Sequence, residues 1–117
     1  MRSSYRRTSG GAWEAEQTIS TGSTDWTWST LAVDDAGTLH GAWHQLVGDK
    51  GQVHYATADG ATGSWTPPLQ VSTDGALDNW RQALALDPAG HTHIVWLQVE
   101  GAETGRVFYR KVAYQDL

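Results

Sequence analysis

The sequence predicts an all-β fold, two blades of a β-propeller, and three observations predict it. Thirteen Gly and seven Trp stand against a single Phe and a single Met, the balance of strands joined by tight turns rather than of helices. The chain also matches itself. Leu31-Ala32-Val33-Asp34-Asp35-Ala36-Gly37-Thr38-Leu39-His40-Gly41-Ala42-Trp43 agrees with Leu84-Ala85-Leu86-Asp87-Pro88-Ala89-Gly90-His91-Thr92-His93-Ile94-Val95-Trp96 at seven of thirteen positions, at a spacing of 53. Finally, stretches such as Leu31-Ala32-Val33 and Ile94-Val95-Trp96 are apolar at consecutive positions. A sheet with one wet face would alternate, so these strands are expected to be covered on both faces.

The repeat extends in both directions. Trp13 with Ile19-Ser20-Thr21 recurs as Trp65 with Val71-Ser72-Thr73 at a spacing of 52, and Val53-His54-Tyr55 recurs as Val107-Phe108-Tyr109 at 54. Each copy reads as four strands. In the first, strand A runs over 28–34 and ends in the turn Asp34-Asp35-Ala36-Gly37, where Asp caps the turn and Gly supplies a positive φ. Strand B covers 38–46, strand C 52–57 and strand D 64–72, with Gly-rich turns between them. The second copy places A at 81–87, B at 91–99 and C at 106–112, and a D-type segment, 12–20, stands at the front. The strand order is therefore D-ABCD-ABC. The chain reads as one unit over 1–117, with a flexible segment at 1–11, a first repeat at 12–63 and a second at 64–117.

Four-stranded meanders of about fifty residues, covered on both faces, are propeller blades packed radially. A β-sandwich is the alternative, but its halves need no such internal match. Two blades cannot close a ring. The expected partner is therefore the chain itself, as a homotrimer of six blades or a homotetramer of eight. The leading D segment is expected to complete the blade that A, B and C begin at the end of a neighbouring chain, covering an open sheet edge.

Composition excludes several classes. The formal charge is −5, and the basic residues are scattered except for Arg2, Arg6 and Arg7, so no basic face awaits a nucleic acid. There is no Cys and hence no thiol chemistry. The first eleven residues are polar and basic, unlike a secretion signal, and no run of about eighteen apolar residues offers a membrane span. Taken as a natural start, this N-terminus points to the cytoplasm.

At Leu-Ala-Val-Asp-x-x-Gly-x-x-His-x-x-Trp, followed by Tyr and by an Asp/Gly turn ending in Trp, the chain resembles the sialidase-type, or Asp-box, propeller repeats. The match covers 5–109, and the Asp-box is approximated by Thr57-Ala58-Asp59-Gly60-Ala61-Thr62-Gly63-Ser64-Trp65, one residue longer than the motif. The resemblance implies a propeller. For a sialidase it would further imply three arginines around the sugar carboxylate, a Tyr nucleophile helped by Glu and an Asp acid/base. Asn79-Trp80-Arg81-Gln82 is similar to the aromatic-Arg segment that opens a blade in that family, but no complete arginine set accompanies it.

The residues themselves assign no catalytic set, no cofactor and no metal. Asp34 and Asp87 each open a hairpin, so turn capping accounts for both. His40 and His93 recur beside Trp43 and Trp96, which suits a packing or hydrogen-bonding role in every blade. His91 and His93 share a strand face and could hold a metal, but no third ligand joins them. The connections between strand D and the next strand A are different, because they diverge while the strands agree. One carries Asp25, Trp26 and Trp28, the other Asp78, Asn79, Trp80 and Arg81. A flat ring beside hydrogen-bonding groups suits a sugar. The leading expectation is therefore non-catalytic glycan binding by an oligomeric propeller lectin. A structural or protein–protein module is the alternative, in which these Trp seal one blade against the next, and a sialidase-like glycosidase is a third reading. A ring of identical chains repeats the same groups, whereas a hydrolase needs distinct groups at one point.

Overall fold

The computed structural model describes residues 4–6, 8–9, 12–13, 15–19 and 29–113. Among them the chain is all-β, without a helix. The strands are β1 (Ser4–Tyr5), β2 (Thr8–Ser9), β3 (Ala12–Trp13), β4 (Gln17–Thr18), β5 (Ser29–Val33), β6 (Thr38–Val47), β7 (Lys50–Asp59), β8 (Leu69–Gln70), β9 (Asn79–Leu86), β10 (His91–Val99) and β11 (Gly105–Ala113). The first sheet has the order β5-β6-β7-β8 and the second β11-β10-β9, both antiparallel and neither closed.

Strands A, B and C of both copies fall on β5, β6, β7 and on β9, β10, β11, with ends within two residues of expectation. The A–B turns form as the sequence dictates. Asp34 Oδ1 accepts from the N–H groups of Ala36 (3.0 Å) and Thr38 (2.9 Å), and Asp87 Oδ1 from those of Ala89 (2.9 Å) and His91 (3.1 Å). Gly37 and Gly90 then take φ of 84° and 92°, a region open to glycine at little cost. Strand D is shorter than expected. It reduces to β8 and a single bridge between Ala58 and Trp65, because Pro67 and Pro68 have no N–H to give to a ladder.

The leading D segment, 12–20, contributes β3 and β4. In this chain they pair with β2 and β1, so that 4–18 folds back on itself. Tyr5 and Ile19 from this unit pack with Leu39, Ala58 and Trp65 of the first sheet, and the Tyr5 and Trp65 rings meet edge to face at 5.3 Å. The other face of the first sheet stacks on the second. Val53, Tyr55 and Val71 meet Ile94, Trp96 and Val112 there, with Leu69, Leu84 and Phe108 around them.

This layering explains the burial pattern. In the first sheet β6 and β7 are covered on both sides, with 39–45 and 51–58 buried without a break, whereas β5 leaves Leu31 and Val33 exposed. The second sheet is covered on one side, so burial alternates along β10 and Val95 faces outward. The expectation of two covered faces therefore holds for β6 and β7, but not for Leu31-Ala32-Val33 or Ile94-Val95-Trp96, the stretches that prompted it. Close approach of the layers also explains Gly41, where an added Cβ would lie 3.1–3.2 Å from the Trp65 ring and 3.9 Å from Ile19. Gly41→Val should overpack this contact and lower stability by about 1–3 kcal/mol, read from urea unfolding.

Candidate functional site

The connection 71–78 runs from β8 into β9 and spans both sheets. Its polar residues are mostly consumed there. The Gly51 N–H donates to Asp78 Oδ1 (2.8 Å), and the Asp78 carbonyl accepts from the Val99 N–H (2.9 Å), which ties the β6–β7 hairpin to β10. Asn79 is fully buried. Its Nδ2 donates to Gln52 Oε1 (3.2 Å) and to the carbonyls of Asp74 (3.2 Å) and Leu77 (3.1 Å). Its Oδ1 accepts from Trp96 Nε1 (2.9 Å) and Gln98 Nε2 (3.2 Å). Ser72 Oγ donates to Gln52 Oε1 (2.6 Å) and accepts from the Val53 N–H (2.9 Å). A buried amide with every position filled is a structural knot, since any unmet group there would cost about 1–3 kcal/mol.

Trp80 and Arg81 stand outside this knot. Val95 pairs with Ala83 and Leu97 with Trp80, so Arg81 and Gln82 together oppose the single residue Trp96. This β-bulge resets the alternation of β9. Asn79 and Gln82 consequently both face the first sheet, where Gln82 Nε2 donates to the Ala42 carbonyl (3.2 Å). Arg81 absorbs the bulge at φ 55°, a left-handed backbone that costs a non-glycine residue on the order of 1 kcal/mol. Its side chain is exposed and has no ion-pair partner among the described residues. Trp80 is half-buried, edge-on to His44 at 6.3 Å, and its Nε1–H meets no acceptor among the described residues. Both line a cleft of about 290 Å³ with Leu97, Val99, Glu103 and Gly105.

Of the sequence-derived site, the structure thus joins Asp78 and Asn79 into the fold and leaves Trp80 and Arg81 at the cleft. Asp25, Trp26 and Trp28 lie outside the described residues.

A second constellation emerges from the repeat. Asp34 Oδ2 lies 2.9 Å from His40 Nε2, His40 Nδ1 lies 2.6 Å from Tyr55 Oη, and Tyr55 Oη lies 2.7 Å from Thr92 Oγ1. A carboxylate only accepts, so His40 donates from Nε2. With a neutral ring, Nδ1 accepts from the Tyr55 hydroxyl, which in turn accepts from Thr92. The second copy repeats this at Asp87–His93 (2.6 Å) and His93–Tyr109 (2.6 Å). The two chains of contacts differ in their surroundings. His40 and Tyr55 are fully buried between the sheets, whereas Tyr109 is 58% exposed. The signal for these tyrosines was present in the repeat, which spaces His by 53 and Tyr by 54. What sequence reasoning missed is that the two bond to each other.

The carboxylates respond to these contacts. Burial works against the charge of Asp34, but hydrogen bonds from His40 and from the Thr38 and Ala36 N–H groups outweigh it and hold the carboxyl below its usual range. For Asp87 the hydrogen bond from His93 leads, joined by the His91 N–H, and the carboxyl is held down to about 2. Burial pushes His54 and His44 below the ordinary imidazole value, against the pull of the Gln52 carbonyl on the first and of Gln82 and Asp78 on the second.

No family model, curated protein or solved structure matches the chain.

Two outcomes follow for stability. Tyr55→Phe leaves buried His40 and Thr92 groups without their partner and should cost about 1–3 kcal/mol in urea unfolding. Acid should act in two stages. His44 and His54 have folded values below the ordinary 6.5, so the unfolded chain takes up protons first and the melting temperature falls as pH drops below about 6.5. Asp34 and Asp87 are depressed from 3.8. Their contribution is present above that value and is lost as pH falls through the folded values, near 2 for Asp87. Asp87→Asn keeps the turn-capping oxygen and should flatten part of the lower stage in melts between pH 5 and 2.

Proposed function

We propose that the chain is a two-blade β-propeller unit that recognises a glycan without chemical turnover, within a ring that further copies complete. The single observation that carries the binding reading is the corner at Trp80 and Arg81. The fold uses the bulge, but it does not use the guanidinium, and a glycine at this φ would form the same bulge with less strain. Beside it stands a half-buried aromatic ring, in a cleft sized for one or two sugar rings. Arg81 favours an anionic or acetylated sugar, as a fixed cation with several donors. Glu103 is the one carboxylate among the cleft's described lining residues, whereas glycoside hydrolysis generally uses a pair.

A structural or protein-binding module is the second reading, and the absorption of Asp78 and Asn79 into the inter-sheet knot favours it. Gly51 and Gly105 are repeat equivalents, and in the first copy Asp78 sits on the Gly51 N–H. Gly105 instead lines the cleft, which the next blade would roof into an inter-blade pocket.

A glycan array followed by calorimetry on the leading hit separates the readings. Trp80→Ala should weaken binding on the order of tenfold or more with the oligomer intact. Arg81→Gly should remove preference for anionic sugars while leaving the melting temperature unchanged or raised. Loss of the oligomer on Trp80→Ala would make this ring a blade wedge and give the structural reading precedence.

A further inference from the structure

We infer that the outward face of the second sheet seats on the exposed Leu31 and Val33 side of the first sheet in another copy, head to tail, repeating between chains the contact already made within one. This rests on the blade reading above and is independent of what the cleft binds. The repeat supplies the correspondence residue by residue. Within the chain, the first sheet presents Ala42, Val53, Tyr55 and His40 to the second. Their equivalents Val95, Val107, Tyr109 and His93 lie on the far face of the second sheet. In a single chain Val95 is 40%, Val107 72% and Tyr109 58% exposed.

The opposite end of the chain shows the matching surface. The second sheet receives the first through Leu84 and Ile94, with Leu86 in register beside Thr92 on the same face. The equivalents of the two leucines, Leu31 and Val33, pair with Gly41 and Leu39 on the far face of the first sheet and are 57% and 59% exposed. Of the six large hydrophobic side chains exposed among the described residues, five fall on these two faces, and Val47 is the exception. Exposure on this scale, sorted onto two faces whose counterparts are buried against each other, marks an interface.

The fourth strands give the same answer independently. Val71, which follows β8, packs on Ile94 of the second sheet. Its repeat equivalent Ile19, which follows β4, packs in the same way against Gly41, the equivalent of Ile94. Thus β4 lies on the first sheet as β8 lies on the second. In the single chain β1 pairs with β4 but leaves Leu31 and Val33 exposed, and β9-β10-β11 of a second copy is the sheet that would cover them. A heterologous contact of this kind leaves one face of each type free, at the two ends of the assembly, until a ring closes.

Light scattering after gel filtration tests this with two exposed positions. Wild type should run at a whole multiple of 12.8 kDa. Leu31→Glu and Val107→Glu should each run at 12.8 kDa, with circular dichroism unchanged because both side chains face solvent in the single chain. An equal mixture of the two should form a dimer, because each variant keeps the face that the other has lost. A monomeric wild type overturns the inference. So does a Leu31→Glu variant that keeps the wild-type mass, which would mean that second-sheet faces meet each other about a two-fold axis. A mixture that stays monomeric also overturns it. If either Glu variant unfolds, Leu31→Lys and Val107→Lys carry the same test. Sugar binding lost with the mass unchanged bears only on the glycan reading.

Discussion

A β-sheet with apolar side chains on both faces must be covered on both, and in this chain each sheet carries that requirement. The second sheet covers one side of β6 and β7, and Tyr5, Ile19 and Trp65 help cover the other. Stacking ladders this closely traps backbone and side-chain polar groups away from water. Each must then be bonded, because an unmet group costs more than a met one gains. The knot at Asn79 and the chain from Asp34 to Thr92 are the consequence. They hold the two sheets in one relative position, and that position defines the corner where Trp80 and Arg81 meet the cleft.

Polar seams specify register more sharply than apolar ones. Tyr55 finds a hydroxyl at Thr92 and Gln82 finds the Ala42 carbonyl. Sliding one sheet over the other by a residue would carry each group past its partner and leave it unmet. The bulge at Arg81 belongs to the same requirement. Asn79 and Gln82 are three apart and would face opposite ways along a regular strand. Inserting one residue lets both turn inward, and the inserted residue is turned out. The strain of Arg81 is thus explained by the fold, while its side chain is not.

Much of this was legible in the sequence because the repeat compares each residue with its own copy. Strand order, the Asp turns and the recurrent histidines follow from alignment of 31–43 with 84–96. Other features depend on orientation, which alternation alone does not give once a bulge intervenes. Asp78, Asn79, Trp80 and Arg81 are consecutive and look equally available, yet two of them are spent inside. Pairing of β3 and β4 with β2 and β1 was also hidden, since β1 and β2 fall in the segment 1–11 that reads as flexible.

The two copies differ in a way that suits their different tasks. The face of the first sheet that meets the second includes Thr30, Ala42 and His44, and the equivalent outward positions on the second sheet are Ala83, Val95 and Leu97. On the receiving side, Thr92 within the chain corresponds to Leu39 at the chain's other end, but Ile94 corresponds to Gly41 and Val112 to Ala58. Thr57 to Lys111 runs the other way, at the end of the strands. At the positions that the first sheet presents, the seam inside a chain is therefore the more polar, and the seam proposed between chains the more apolar. Covalent linkage explains the asymmetry. Sheets joined by a short connection meet at a high effective concentration, so a modest polar seam suffices and its hydrogen bonds fix the geometry. Copies that must find each other in solution lose translational and rotational freedom on binding, and buried apolar area is what offsets that loss. At those positions the sequence differences between the copies thus follow the line between contacts made within a chain and contacts proposed between chains.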